Sequence, residues 1–184
     1  MSGSFAVGLQ RSAQGPLASS AWGRMRPEAE VPMTLMQDIE NAIKAVTIAG
    51  SEVWTAGAAS ASDIGVAEQA LSTEFPPSYR RFLAAYGALS VGDSCVSGVL
   101  QEGPLTDEGG NVYFDTLSLR RDFGLPYELI VVCVHEDGAY CLDTSRRQAD
   151  GECPIVNFER HSIQHEKPVA PNFENWLIDF KLAR

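Results

Sequence analysis

The sequence predicts an α+β domain in which a mainly antiparallel β-sheet of about five to six strands is covered on one side by helices. Three observations predict it. Apolar residues recur at helical spacing through residues 35–87, short β-type runs occupy the middle of the chain, and a helical pattern returns at its end. Helices first, strands next and a helix last are typical of an antiparallel sheet with helices packed against it.

The first half of the chain carries three helical patterns. In LMQDIENAIKAV, apolar side chains recur every three or four residues and form one stripe. A second helix follows, which Ser62 or Asp63 is placed to cap. A third helix begins at Pro76 or Pro77, because proline fits the first turn, and it ends at Gly87, which suits a left-handed C-cap.

The middle of the chain predicts short strands. SCVSGVL and NVYF are β-type runs separated by the polar turn EGPLTDEGG. Asp137-Gly138 lies between two β-branched or aromatic runs and predicts a β-hairpin, after which ECPIVNF supplies another strand. A last helix is predicted in PNFENWLIDFKLAR, with Asn172 as its cap. Its apolar face is formed by Phe173, Trp176, Leu177 and Phe180.

Residues 1–32 differ in composition from the rest of the chain. They are rich in Ser, Gly, Ala and Pro, and their apolar residues follow no period, so we expect a disordered tail before one folded domain at residues 33–184. The chain contains no uninterrupted apolar stretch of about 18 residues, and SFAVGL is too short for a secretory signal. We therefore expect a cytoplasmic protein with no membrane partner; mitochondrial-type targeting is the weaker alternative, because the segment contains Arg and Ser without early acids.

The charge of the chain constrains its partners. The formal net charge is -10, from 14 basic and 24 acidic residues. Such a surface repels phosphate backbones, which argues against direct nucleic-acid binding. A basic protein is a better candidate partner, because complementary charge speeds the encounter. Solubility alone also accounts for an acidic surface, so charge leaves both readings open.

The cysteines and histidines do not form a recognisable chemical site. The four cysteines include no C-x-x-C pair, so their spacing gives no support for zinc. The predicted hairpin would place Cys133 and Cys141 opposite each other, and we expect both to be packed thiols. His161 and His165 lie in ERHSIQHEKP, which has no apolar stripe and is interpreted as a solvated loop. Because no motif selects Cys133 or His135 as catalytic, we predict no enzyme activity, metal or cofactor.

Four stretches of the chain together carry a family resemblance. IGVAEQALSTEFPPSYRRFLAAYGA has an acidic helix, a Phe-Pro break and an aromatic-rich helix with a Tyr-Gly end. TAGAASASDIG leads into that helix pair, and PNFENWLIDF closes the pattern. From Trp54 to about Phe180 the chain resembles the SUKH superfamily of Smi/Knr-type domains, which includes yeast cell-wall regulators and bacterial immunity proteins. YCLDT followed by DGECPIVNFER is similar to the YobK-type immunity branch.

The resemblance implies a binding module without catalytic residues. In that family an immunity protein holds a cognate toxin of a polymorphic toxin system, often a nuclease, in a self-protecting complex. The eukaryotic branch implies the alternative, a regulatory or scaffolding domain without a toxin. Acidic loop residues are our candidates for contacting a basic toxin, because carboxylates can stand in for phosphates. These candidates are Asp107, Glu108, Glu136, Asp137, Asp150 and Glu152.

Overall fold

The computed structural model describes residues 34–160 and 168–182. Its helices are α1 (Thr34–Ile48), α2 (Ala61–Leu71), α3 (Pro77–Tyr86), α4 (Val112–Phe123) and α5 (Phe173–Trp176). Its strands are β1 (Val53–Thr55), β2 (Leu89–Val91), β3 (Ser94–Val96), β4 (Leu129–His135), β5 (Gly138–Asp143), β6 (Ile155–Glu159) and β7 (Pro168–Ala170). The tail predicted at residues 1–32 and the loop histidines His161 and His165 lie outside the described residues.

The predicted α+β class is confirmed, and the described strands are all antiparallel within their sheets. They divide into a three-stranded sheet in the order β1-β2-β3 and a four-stranded sheet in the order β4-β5-β6-β7. The sequence pattern predicted one sheet. Strands β1, β2 and β7 are only three residues long, which is too short to show the alternation that predicts a strand.

Capping groups set the ends of α2 and α3. The N-cap of α2 is Ser60, whose Oγ accepts the backbone N–H of Asp63 at 3.0 Å. The predicted cap at Ser62 or Asp63 was therefore wrong by two or three residues, because the Ser60 hydroxyl accepts the Asp63 N–H and the helix begins at Ala61. α3 begins at Pro77 and ends before Gly87, as the proline and glycine positions predicted. Gly87 has a positive φ of 66°, but its ψ of -72° lies outside the left-handed helical region that was predicted.

The segment NVYF is the start of α4, so the strand predicted there was wrong. Asn111 is the N-cap of this helix, and its side-chain oxygen accepts the backbone N–H groups of Tyr113 and Phe114 at 3.0 and 3.4 Å. β-branched and aromatic residues prefer strands only weakly, and capping together with burial of Val112 outweighs that preference. Gly124, at a φ of 67°, ends the helix.

The hairpin predicted at Asp137-Gly138 is formed by β4 and β5. Its register shifts between Val131 and Cys133, because a bulge inserts one extra residue into β4. Cys141 consequently lies opposite Val131, and Cys133 lies opposite Tyr140. The predicted Cys133–Cys141 pairing was therefore wrong, and within the described residues the cysteines are thiols rather than disulfides.

The four-stranded sheet is covered by helices on both faces. Ile130, Val132 and Leu142 pack into the main core, which also contains side chains of α3 and α5. Val131, Cys141 and Val156 point the other way and pack against Leu119 of α4 and Leu125. The prediction that helices cover one face of the sheet was incomplete. Both faces of this sheet carry apolar side chains, and helices bury both of them.

The C-terminal helix begins where the sequence predicts. The Asn172 side chain accepts the backbone N–H of Asn175 at 2.9 Å, and Phe173, Trp176 and Leu177 are buried. The helix continues past Trp176 as a π-helical segment, Leu177–Leu182. The Phe180 side chain, predicted on the same face, lies outside what the structure describes.

Candidate functional site

The acidic candidates lie in three separate places. Glu136 and Asp137 form the exposed β4–β5 turn, and Asp150 is exposed in the connection after β5. Because β5, about 17 Å long at about 3.4 Å per residue, runs between the turn and this connection, they lie at opposite ends of the sheet. Asp107 and Glu108 are exposed in the loop before α4. The candidates therefore do not form one continuous patch.

Glu152 is not available to a partner. Its side chain is buried, with the residue 8% exposed, and it lies against the first turn of α3. One carboxylate oxygen accepts the Ser78 backbone N–H at 2.8 Å, and the other accepts the Ser78 hydroxyl at 2.6 Å. The prediction of an exposed binding role is corrected: Glu152 satisfies an N–H that a helix with proline at its N-cap cannot cap with its own side chain.

We expect Glu152→Ala to lower the free energy of unfolding by about 2 kcal/mol, because it leaves the buried Ser78 donors without an acceptor. Glu136→Ala, at an exposed turn position, should change it by less than about 0.5 kcal/mol. Urea unfolding followed by circular dichroism measures both. Equal stability of the two variants would contradict a structural role for Glu152.

Two further buried carboxylates flank the same helix. Glu68 accepts the Phe75 backbone N–H at 2.7 Å and lies 3.2 Å from the Arg80 guanidinium. Glu174 of α5 lies 3.5 Å from Arg81. Burial raises the pKa of Glu174 above its ordinary value, and the Arg81 charge partly offsets this effect. These acids account for part of the negative charge through internal contacts, so they are not available to a partner.

A buried polar network that the sequence did not indicate centres on Asp115. Its carboxylate accepts the Ser97 hydroxyl at 2.6 Å and the Gly110 N–H at 3.1 Å. Tyr79 donates its hydroxyl to the Ser97 carbonyl at 2.7 Å. Burial raises the pKa of both Asp115 and Tyr79. Since Asp115 and Tyr79 are both buried, this network ties α3 and α4 to the strand end rather than presenting a reactive group.

The segment from YCLDT to GECPIVNF is held by structural contacts. Cys141 and Cys153 are buried, and burial raises the pKa of the Cys141 thiol. Burial favours the neutral form of Asp143, but hydrogen bonds from Ser145 and Arg146 outweigh it, so the pKa of Asp143 lies below its ordinary value. The two thiols pack as small apolar groups, as the sequence predicted for Cys141.

His135 does not belong to a metal-binding cluster in the described residues. Its Nε2 lies 2.8 Å from the Asn157 side-chain oxygen, and its ring packs against Tyr140 with centroids 5.0 Å apart. No three His, Cys, Asp or Glu side chains converge on a possible metal position in the described part of the chain. Its described helices also include none that is long and apolar enough to cross a bilayer.

The described arrangement corresponds to a known family. Residues 36–182 match the family model SUKH_5, described as SMI1-KNR4 cell-wall. The chain belongs to the SUKH_5 family. Domains of the SUKH group are known as immunity proteins in toxin systems and as cell-wall-related domains without catalysis.

A solved structure shares the fold of this SUKH_5 chain. It is the crystal structure of a protein from Pseudomonas syringae pv. tomato, which is 17% identical in sequence. The match has a TM-score of 0.56 and covers 81% of this chain and 99% of that chain. At this identity the likeness shows the fold alone.

Proposed function

We propose that this chain is an immunity protein that binds and neutralises the cognate toxin of a bacterial polymorphic toxin system. The SUKH_5 match over residues 36–182 carries the proposal, because immunity is a known role of this group. YCLDT and DGECPIVNFER further favour the YobK-type branch. In this role the chain works in the cytoplasm, without a cofactor, by covering the toxin's active site or its substrate path.

The charge of the chain favours a basic toxin, such as a nuclease. Exposed acids lie on three loops, and a net charge of -10 attracts a positively charged protein while repelling nucleic acid. After the correction of Glu152, the remaining contact candidates are Asp107, Glu108, Glu136, Asp137 and Asp150. A standard interface of about 800 Å² per partner is within reach of a domain of this size.

Co-expression tests the proposal. The toxin domain encoded beside this chain's gene is expressed from an inducible promoter in a host that lacks both genes, with and without the SUKH_5 chain. We expect the toxin alone to stop growth and the pair to grow normally. A neighbouring product that is harmless alone, or that still kills when the SUKH_5 chain is present, would refute the proposal.

The electrostatic part of the proposal makes a kinetic prediction. Raising salt from about 20 mM to about 200 mM should slow association of the chain with its inactivated toxin about tenfold, because salt screens the attraction between opposite surfaces. Dissociation should change far less. Biolayer interferometry at four salt concentrations measures both rates. An association rate that does not depend on salt would show that the loop acids do not steer the encounter.

A regulatory or scaffolding role without a toxin is the second candidate, and the description of the matching family, SMI1-KNR4 cell-wall, favours it. In that role residues 1–32 could add a docking segment. Deleting residues 1–32 separates the two candidates. An immunity protein keeps its full protective action after the deletion, whereas a scaffold that docks through this segment loses its partner.

A further inference from the structure

The four-stranded sheet has an apolar area that α4 does not cover. The cross-strand row Val134, Ala139 and Phe158 lies on the sheet face that packs against α4, at the end nearest the β4–β5 turn. Ala139 is fully buried and Phe158 partly so, but Val134 remains 38% exposed. Phe123, at the last residue of α4, is 41% exposed. We call Phe123, Val134 and Phe158, together with Arg160, the hairpin-end face.

Arg160 links this area to the turn. Its guanidinium lies over the Phe123 ring, 4.6 Å from the centroid, and its backbone N–H donates to the Asp137 carbonyl at 3.0 Å. Its Nε is buried and has no hydrogen-bond partner among the described residues. Arginine stacked on an aromatic ring is held in place without ion pairing. Phe123 and Arg160 thus form a stacked pair beside the exposed acids of the turn.

The composition of this area resembles the centre and rim of a protein interface. Such interfaces place aromatic, aliphatic and arginine side chains at the centre and polar groups around them. Here the apolar row is bordered by Glu136, Asp137 and Glu159, all exposed. A second copy of this chain is a poor occupant, because docking two such faces would bring like charges together. A basic protein with an exposed apolar side chain is complementary to this face, because the apolar side chain can pack on the cross-strand row and the basic residues can pair with the bordering acids.

We propose that the hairpin-end face is the surface that docks the toxin, an inference that rests on the proposed function and assigns it to one part of the domain. Val134 and Phe123 contact an apolar side chain of the toxin, and Glu136 and Asp137 contact its basic residues. Asp150, at the other end of β5, lies outside the contact.

Matched valine substitutions test this assignment. Val134 on β4 and Val169 on β7 occupy the two edge strands of the same sheet and are 38% and 37% exposed. We expect Val134→Lys to weaken binding of the inactivated neighbouring toxin domain about 30-fold, as loss of an interface hot spot does, and Val169→Lys to change it less than about threefold. Phe123→Ser should weaken binding to a similar extent. Isothermal titration calorimetry measures affinity, and thermal unfolding checks that each variant folds.

Three results would overturn the assignment of the hairpin-end face as the docking surface. If the wild-type chain binds and Val134→Lys and Phe123→Ser both bind equally well, the toxin docks elsewhere and the immunity role stands. If the wild-type chain neither binds nor protects, the proposed function fails and this assignment fails with it. If sedimentation velocity shows a wild-type dimer that Val134→Lys dissociates, the occupant is a second copy of the chain and the assignment to the toxin is overturned.

Discussion

Replacing Gly98 with alanine is expected to lower the free energy of unfolding by about 3 kcal/mol or more, a large part of the roughly 5 to 15 kcal/mol that stabilises a typical domain. A Cβ added at Gly98 would lie 1.7 Å from the Gly87 carbonyl oxygen. Neither backbone can move aside easily. The Gly87 carbonyl accepts the Val99 N–H at 3.0 Å, and Gly98 itself bonds to Gly110 and Val112 at 2.9 and 2.8 Å.

Gly65→Ala is the matched control. Gly65 lies inside α2, and nothing lies within 4 Å of a Cβ added there. Because alanine favours the helix over glycine, this variant should gain about 0.5 to 1 kcal/mol. Soluble expression, circular dichroism and urea midpoints compare the two variants. If the Gly98→Ala protein is as stable as the Gly65→Ala protein, the backbone at Gly98 does not lie against the Gly87 carbonyl as closely as the structure shows.

The sequence predicted the helices well where the periodic pattern had both a cap and a stop. α3 shows this clearly, since Pro77 starts it and Gly87 follows its last turn. α4 was missed because Val112, Tyr113 and Phe114 favour strands locally, while the Asn111 cap that decides the outcome is a single residue. A short capping signal is easily outweighed by three residues of opposite preference when only the sequence is read.

The candidate surface was predictable only in part. The Asp-Gly dipeptide marks a turn, so the exposure of Glu136 and Asp137 follows from the sequence. The burial of Glu152 does not, because it depends on Ser78, which lies 74 residues earlier in the chain. The exposure of Phe123 also depends on tertiary packing, since it is set by where α4 ends relative to the sheet. Contacts between distant segments have no local signature.

Trp176 is the largest fully buried side chain in the described part of the chain. It joins α5 to the four-stranded sheet, with its ring 5.7 Å from Phe173 and 5.6 Å from Tyr140 between centroids. Phe173 in turn contacts Tyr79 and Phe82 of α3. Removing Trp176 therefore opens a cavity at the point where two helices and the sheet meet.

We expect Trp176→Ala to lower the free energy of unfolding by about 4 kcal/mol, from lost burial and the cavity that remains. Trp54→Ala is the control, because Trp54 is 52% exposed on β1 and should lose less than about 1 kcal/mol. Urea unfolding monitored by circular dichroism measures both substitutions.

Trp176→Phe separates the packing of the indole from its polar group. The indole Nε1 is buried and has no hydrogen-bond partner among the described residues. An unpaired buried N–H is unfavourable, so phenylalanine removes that cost while keeping most of the apolar contact, and we expect a loss of only about 1 kcal/mol. A loss as large as that of Trp176→Ala would mean that the N–H does find a partner in solution. The helix would then be anchored to the sheet by a specific hydrogen bond as well as by apolar packing.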